Sequence, residues 1–138
     1  ISAMIKTLDP TPFARLFSYA IPAGFPSPAS DYIDQRLDLN QYLGIHPEAS
    51  FFLRVQGDSM QGAGIYDGDL LVVDRSKKAK SGQVVIAVID GEFTVKRFYQ
   101  QGGQTWLQAE NPQYAPIILC EGQELEIWGV VSHVVHKP

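Results

Sequence analysis

The chain has 138 residues, which is enough for one domain with a single apolar core. It carries 15 acidic residues against 11 lysines and arginines, for a net charge of −4, and no basic run offers a phosphate-binding face, so we expect no direct binding to nucleic acid. The sequence also contains no signal-peptide h-region and no apolar span of about 20 residues, so we expect a cytoplasmic protein without a membrane anchor.

The first 45 residues are predicted to form an arm and a linker. Residues 1–3 precede Met4 and look like the remainder of an expression vector, so Met4 is the expected native start. Five of the nine prolines lie between residues 9 and 32. Because proline fixes φ and lacks a backbone N–H, this segment cannot form a long helix or a central strand. We therefore predict an extended arm over residues 4–45.

Residues 46–138 have the pattern of an all-β domain. From about Phe51 onward, short runs of β-branched and aromatic residues are separated by glycine, aspartate and asparagine. The sequence favours one short helix before this domain, in IDQRLDLNQYL at 33–43, where Ile33 and Leu37 are spaced for one helix face. The fold is thus predicted to be mainly β.

The clearest local signal is VVIAVIDGEFTVKRFY, at residues 84–99. Asp90-Gly91 between two strand-like runs predicts a two-residue hairpin. That turn places Lys96 opposite Val85, with Ala87 on the same face. The other face is more apolar and is expected to cover the core: Val84, Ile86, Val88, Phe93, Val95 and Arg97. Lys96 then lies among small apolar side chains, where its ammonium is partly desolvated.

A single serine, Ser59, lies in the glycine- and aspartate-rich loop of RVQGDSMQGAGIYDGDLLVVD, at 54–74. A serine hydroxyl is a poor nucleophile unless a base lies within hydrogen-bond reach. Lys96 is a candidate base, because burial can lower a lysine pKa by ~3–5 units and leave a neutral amine. Structural or surface roles are expected for the three histidines: His46, His133 and His136. Composition alone leaves the simpler alternatives open, a turn-forming serine and a solvated lysine.

No cofactor or metal is expected, since the sequence has no His-Glu-x-x-His motif and no cysteine pair. The lone Cys120 is expected to be a small buried hydrophobe. One alternative is a non-enzymatic interaction module whose loop holds a cation through Asp58, Asp67 and Asp69. That loop lacks the alternating acids and the terminal glutamate of a calcium-binding hand.

Four separated motifs resemble the self-cleaving LexA and UmuD peptidase superfamily. They are GDSM at 57–60 with YDGDLLVVD at 66–74, GEFTVKR at 91–97, GFPSPASDYIDQRLDLNQYL at 24–43 and WGVVSHVVHK at 128–137. The last two are similar to the arm and the final strand of the UmuD branch. The resemblance implies a strongly bent β-sheet peptidase domain of the LexA/UmuD type with an extended N-terminal arm.

The resemblance also implies residue roles. Ser59 matches the family nucleophile, Lys96 matches the general base, and Ala23-Gly24 matches the bond that such a protein cuts in its own arm. A sharp turn supports the serine, and its backbone N–H groups can hold the oxyanion of the tetrahedral intermediate. The residues of that turn are Gly57, Asp58 and Met60.

The resemblance finally implies partners. RecA filaments on single-stranded DNA would stimulate self-cleavage, and the processed homodimer would join the UmuC-type subunit of an error-prone translesion polymerase in the SOS response to DNA damage. A second reading is the self-cleaving C-terminal domain of a LexA-like or phage repressor. The expected start at Met4 leaves no room for the repressors' helix-turn-helix domain and favours the first reading.

Overall fold

A computed structural model of the chain describes residues 14–17, 20–26, 28 and 34–138. The described chain separates into two compact units, one on each side of the Gly44–Ile45 bond. Within the described ranges, no helix has the length and apolar character needed to cross a membrane.

The N-terminal unit contains a two-stranded antiparallel sheet and one helical turn. Strand β1 (Ala14–Phe17) pairs with β2 (Asp34–Leu37), and Ala14 lies opposite Leu37. The turn α1 (Leu39–Tyr42) is capped by Asp38, whose carboxylate accepts the N–H groups of Asn40 and Gln41 at 3.1 and 3.3 Å. Such a cap satisfies donors that have no partner inside the helix.

The helix predicted over 33–43 is wrong for most of its length. Ile33 lies outside the described residues, and residues 34–37 form β2 instead. Asp38 is extended, with φ −93° and ψ 107°, so the helix begins only after it. Pairing with β1 gives the backbone N–H and C=O groups of β2 hydrogen-bond partners. The helical pattern of this segment rests on only two or three apolar residues, so tertiary pairing decides its conformation.

The C-terminal unit is a single antiparallel sheet of seven strands in the order β3-β4-β9-β5-β6-β7-β8. It confirms the prediction of a mainly β fold. The strands are β3 (Ser50–Arg54), β4 (Leu70–Asp74), β5 (Val84–Ile89), β6 (Glu92–Gln101), β7 (Gln104–Gln108), β8 (Ile117–Ile118) and β9 (Leu125–Val135). A single 3-10 turn, Gln61–Ala63, lies between β3 and β4.

The sheet is strongly bent. Strand β6 pairs with β5 through residues 92–97 and with β7 through residues 97–101, so it changes partner at Arg97. Strand β9 carries two register shifts, one opposite Val72/Val73 and one opposite Ile86/Ala87. Such irregularities insert an extra residue and bend the strand, which lets one sheet fold around two cores.

The β5–β6 hairpin is the one that the sequence predicts. Asp90 and Gly91 both have positive φ, 48° and 83°, as a two-residue turn of this kind requires. Val85 lies opposite Lys96, and Ala87 lies opposite Thr94. The register of the hairpin is therefore confirmed.

The expectation that only one hairpin face covers a core is wrong. Ile86 belongs to one apolar cluster, together with Val55, Met60, Ile65, Leu71 and Val73. Val85 and Ala87, on the Lys96 face, are fully buried in a second cluster with Phe98, Leu107 and Val130. The run VVIAVI is apolar on both faces because the bent sheet buries both. Cys120, expected to be buried, is exposed.

Leu107→Ala should lower the free energy of unfolding by about 2–5 kcal/mol, because it empties the centre of the second cluster. Leu107 is 0% exposed, whereas Ile118 on the neighbouring strand is 55% exposed. Ile118→Ala is therefore the matched control and should cost no more than about 1 kcal/mol. Guanidinium denaturation measures both. Equal losses in the two variants would contradict the assignment of Leu107 to a core.

Candidate active site

The loop that carries Ser59 connects β3 to β4 and is fastened at its base. The Val55 N–H donates to the Asp69 carbonyl at 2.9 Å, and the Gly68 N–H donates to the Val55 carbonyl at 2.8 Å. Gly57 has a φ of +100°, which favours glycine, and its N–H donates to the Asp67 carboxylate at 2.8 Å. The chain therefore enters and leaves the serine turn in a fixed geometry.

Two buried apolar side chains fix the serine turn to the first apolar cluster. Met60 directly follows Ser59 and is almost fully buried in the first cluster, as is Ile65. The Met60 carbonyl accepts the N–H groups of Ala63 and Ile65 at 3.0 and 3.2 Å. Ser59 itself is half-buried. One neighbour is thus locked in the core while the serine hydroxyl stays accessible.

Lys96 reaches this hydroxyl from β6. Its Nζ lies 3.2 Å from Ser59 Oγ and donates to Thr94 Oγ1 at 2.9 Å and to the Val95 carbonyl at 3.1 Å. Burial lowers the pKa of Lys96 below its ordinary value. Within the described residues no carboxylate pairs with this amine. This position therefore shifts the equilibrium of Lys96 toward the neutral amine, the form that can accept a proton.

Both side chains line a groove of about 500 Å³. Its walls are mostly apolar: Leu53, Val55, Leu71, Ile86, Phe93, Val95 and Trp128. Phe93 and Trp128 meet edge to face, with ring centroids 6.0 Å apart. Such a groove suits an apolar chain segment, which would displace water from the Ser59–Lys96 pair on binding.

A loop after β7 supports the serine turn from the other side. The Asn111 Nδ2 donates to the Asp58 carbonyl at 3.0 Å, and the Tyr114 hydroxyl donates to the Asp58 carboxylate at 2.5 Å. The hydrogen bond to Asp58 raises the pKa of Tyr114. Sequence reasoning missed Asn111 and Tyr114, since they lie more than 50 residues from Asp58 and form no motif.

The other polar candidates are not brought together. His136 pairs with Asp69 at 2.6 Å, and His133 contacts Ser132 at 3.0 Å. A backbone hydrogen bond from Tyr66 is the main cause that lowers the pKa of Asp69. Asp58, Asp67 and Asp69 each have a different partner, and no group of three possible metal ligands occurs in the described part of the chain.

The bond predicted to be cut lies in the N-terminal unit. Residues 20–26 form no helix or strand and are exposed, including Ala23 and Gly24. Ile21 and Phe25, which flank the pair, are exposed large apolar side chains. An exposed, irregular and apolar segment has the properties of a peptidase substrate.

The bent antiparallel sheet holds a serine hydroxyl beside a lysine amine in an apolar groove. A nucleophile next to a base is the arrangement that a serine peptidase needs. A family model described as Peptidase S24-like matches residues 15–132. The chain belongs to this peptidase family, and the predicted membership of the LexA and UmuD superfamily is confirmed. In general terms it is a serine peptidase of the self-cleaving type.

Three relatives illustrate the similarity of the chain to known proteins. Protein SamA of Salmonella typhimurium strain LT2 is 50% identical over 124 residues, which cover 90% of this chain and 86% of SamA. Protein ImpA of Escherichia coli is 47% identical over 123 residues, covering 88% and 83%. The LexA repressor of Ectopseudomonas mendocina is 42% identical over 118 residues, covering 85% of this chain and 57% of the repressor.

Lys96→Met should change the pH dependence of stability. Because burial lowers the pKa of Lys96, the folded protein releases this proton at a lower pH than the unfolded chain, whose lysine titrates near ~10.4. Between those two pKa values the unfolded chain binds more protons, so the wild-type free energy of unfolding gains as pH rises. The free energy of unfolding of the variant minus that of the wild type should therefore fall between pH 7 and pH 10, as measured by urea denaturation.

Lys78→Met is the matched control, because it removes one positive charge from an exposed position between β4 and β5. The Lys96 difference is compared with the Lys78 difference at each pH. A Lys96 difference that grows with pH would contradict a buried, easily neutralised amine.

Proposed function

We propose that the chain cuts its own arm at the Ala23–Gly24 bond, with Ser59 as the nucleophile and Lys96 as the general base. The 3.2 Å contact between Ser59 Oγ and Lys96 Nζ, in a groove that lowers the pKa of the amine, is the observation that carries the proposal. A base must lie this close to the proton that it takes.

The reaction follows from these roles. Neutral Lys96 accepts the hydroxyl proton while Ser59 Oγ attacks the Ala23 carbonyl carbon, and the C–O bond that forms gives a tetrahedral oxyanion. The Lys96 ammonium then donates its proton to the Gly24 nitrogen as the C–N bond breaks. The same amine next takes a proton from water as the water oxygen attacks the ester carbonyl carbon. Lys96 then returns this proton to Ser59 Oγ as the C–Oγ bond breaks, which frees Ser59 and leaves Ala23 with a carboxyl group. Amides of the Gly57–Met60 turn would stabilise both oxyanions.

Several features support Ala23–Gly24 as the substrate. Small side chains let an extended backbone approach a serine closely, and apolar Ile21 and Phe25 match an apolar groove. Residues 92–96 of β6 pair with β5 on one edge, and the part of the chain that the structure describes places no strand on the other edge. An extended arm can add to such an edge through backbone hydrogen bonds.

We propose further that this cleavage belongs to the SOS response in the cytoplasm. RecA filaments on single-stranded DNA stimulate it, and the processed homodimer acts as an accessory subunit of a UmuC-type translesion polymerase. The superfamily membership supports this role, and SamA and ImpA share more identity with the chain than the LexA repressor quoted above. The 42% identity to that repressor supports the second candidate, a self-cleaving repressor domain.

Purified protein kept at pH about 9 to 10 should release a fragment that starts at Gly24, detected by mass spectrometry. The rate should rise with pH and level off, because deprotonation of Lys96 supplies the base. Ser59→Ala and Lys96→Ala should each slow cutting by at least about 1,000-fold, the scale on which removing a nucleophile or its base acts.

Lys78→Ala is the matched control and should cut at the wild-type rate. Circular dichroism should show that both site variants keep the fold. Cutting that persists in Ser59→Ala or in Lys96→Ala would remove that residue from the mechanism, and a wild type that stays intact even with RecA filaments would refute the peptidase proposal.

RecA filaments on single-stranded DNA should accelerate cleavage at pH 7.5, and only the shortened protein should then co-purify with a UmuC-type subunit. Full-length Ser59→Ala tests the uncut state in the same assay. The cut and uncut proteins are expected to differ in this binding because cleavage removes the residues before Gly24. Equal capture of the cut and uncut proteins would contradict the need for cleavage, and capture of neither would contradict the accessory role and favour the repressor-type alternative.

A further inference from the structure

A short segment after β7 forms three hydrogen bonds with the serine turn. We call residues 110–114 the support segment. Asn111 Nδ2 donates to the Asp58 carbonyl at 3.0 Å, and the Tyr114 hydroxyl donates to the Asp58 carboxylate at 2.5 Å. The Gly62 N–H donates to the Glu110 carbonyl at 2.7 Å. These bonds lie on both sides of Ser59 in sequence, so the support segment fixes the turn around the serine.

The bond from Asn111 has a consequence for the Asp58–Ser59 peptide. A trans peptide unit is planar, and its C=O and N–H groups point in opposite directions. The Asp58 carbonyl points at Asn111 and also accepts the Gln61 N–H at 3.4 Å. The Ser59 N–H must therefore point away from the support segment. Within the described residues this N–H has no hydrogen-bond partner.

We propose that Asn111 is a positioning residue that aims the Ser59 N–H at the oxyanion of the reaction, with Tyr114 holding the same peptide through the Asp58 side chain. This inference rests on the proposed self-cleavage. An oxyanion donor contributes most when it is fixed in advance of the reaction, and an unanchored peptide would have to rotate into place at each attempt.

The orientation of the Asn111 amide is fixed from both ends. Its Oδ1 accepts the Gln113 N–H at 3.0 Å, which leaves Nδ2 to face Asp58. The support segment is itself anchored to β6, because Arg97 contacts the Glu110 carboxylate at 2.5 Å and donates to the Gly82 carbonyl at 2.6 Å. Arg97 directly follows Lys96, so one strand positions both the base and the support of the oxyanion donor.

Two substitutions separate this role from a general loss of structure. Asn111→Asp keeps the size and the acceptor for the Gln113 N–H, but it turns an oxygen toward the Asp58 carbonyl in place of a donor. Asn111→Ala removes the bond without adding a charge. Gln104→Ala is the matched control, because it removes an exposed amide side chain from β7, outside the support segment. Tyr114→Phe removes a hydroxyl from an exposed ring and should not affect folding.

The test is the rate of self-cleavage of the full chain from pH 7 to pH 10.5. We expect the alkaline plateau to fall at least about tenfold in Asn111→Ala and further in Asn111→Asp, toward the ~100-fold loss of an oxyanion donor. Tyr114→Phe should lose about threefold. In Asn111→Ala the midpoint of the pH profile should stay at the wild-type value, because the Lys96 amine is untouched. Gln104→Ala should match the wild type throughout.

Each other outcome overturns the inference. A wild-type plateau in Asn111→Asp would remove Asn111 from the mechanism. A shifted midpoint with an unchanged plateau in Asn111→Ala would mean that Asn111 acts on the base. A plateau that falls in Tyr114→Phe but not in Asn111→Ala would reject the peptide orientation. If the wild type itself does not cut, the proposed function fails, and that result is distinct from a wild type that cuts alongside unaffected variants.

Discussion

The burial of the Lys96 amine against Ser59 is the constraint on which the site depends. A carboxylate beside this amine would hold the proton on it, because an opposite charge favours the charged form. Acids of the surrounding loops have other partners, Asp58 with Tyr114 and Glu110 with Arg97 among them. The amine instead has three neutral oxygen partners and an apolar wall. Because no carboxylate pairs with the amine within the described residues, its pKa stays lowered by burial.

The bend in the sheet supplies the rest of the geometry. Ser59 comes from the β3–β4 loop and Lys96 from β6, and β4 and β6 are separated in the sheet by β9 and β5. A flat sheet would hold them apart. Because β9 shifts register twice and β6 changes partner at Arg97, the sheet curls and brings the two side chains together. The two apolar clusters on its faces stabilise this curvature.

Local chemistry was predictable from the sequence, and distant contacts were not. Asp90-Gly91 determines the hairpin register and hence the position of Lys96, since a two-residue turn leaves one choice of pairing. The second core was missed although VVIAVI is apolar on both faces, a pattern typical of a strand covered on both sides. Asn111 and Tyr114 contact Asp58 across 53 and 56 residues, and no sequence motif near any of the three residues indicates these contacts.

Cleavage would separate the two strands of the small N-terminal sheet into different peptides. The Ala23–Gly24 bond lies between β1 and β2, which pair through only four residues each. While the chain is intact, the connecting segment keeps the strands at a high effective concentration. Hydrolysis of the Ala23–Gly24 bond would remove that connection, so β1 and β2 would then pair as two separate peptides. A single hydrolysis would thus make the pairing of β1 with β2 depend on the concentration of the two peptides.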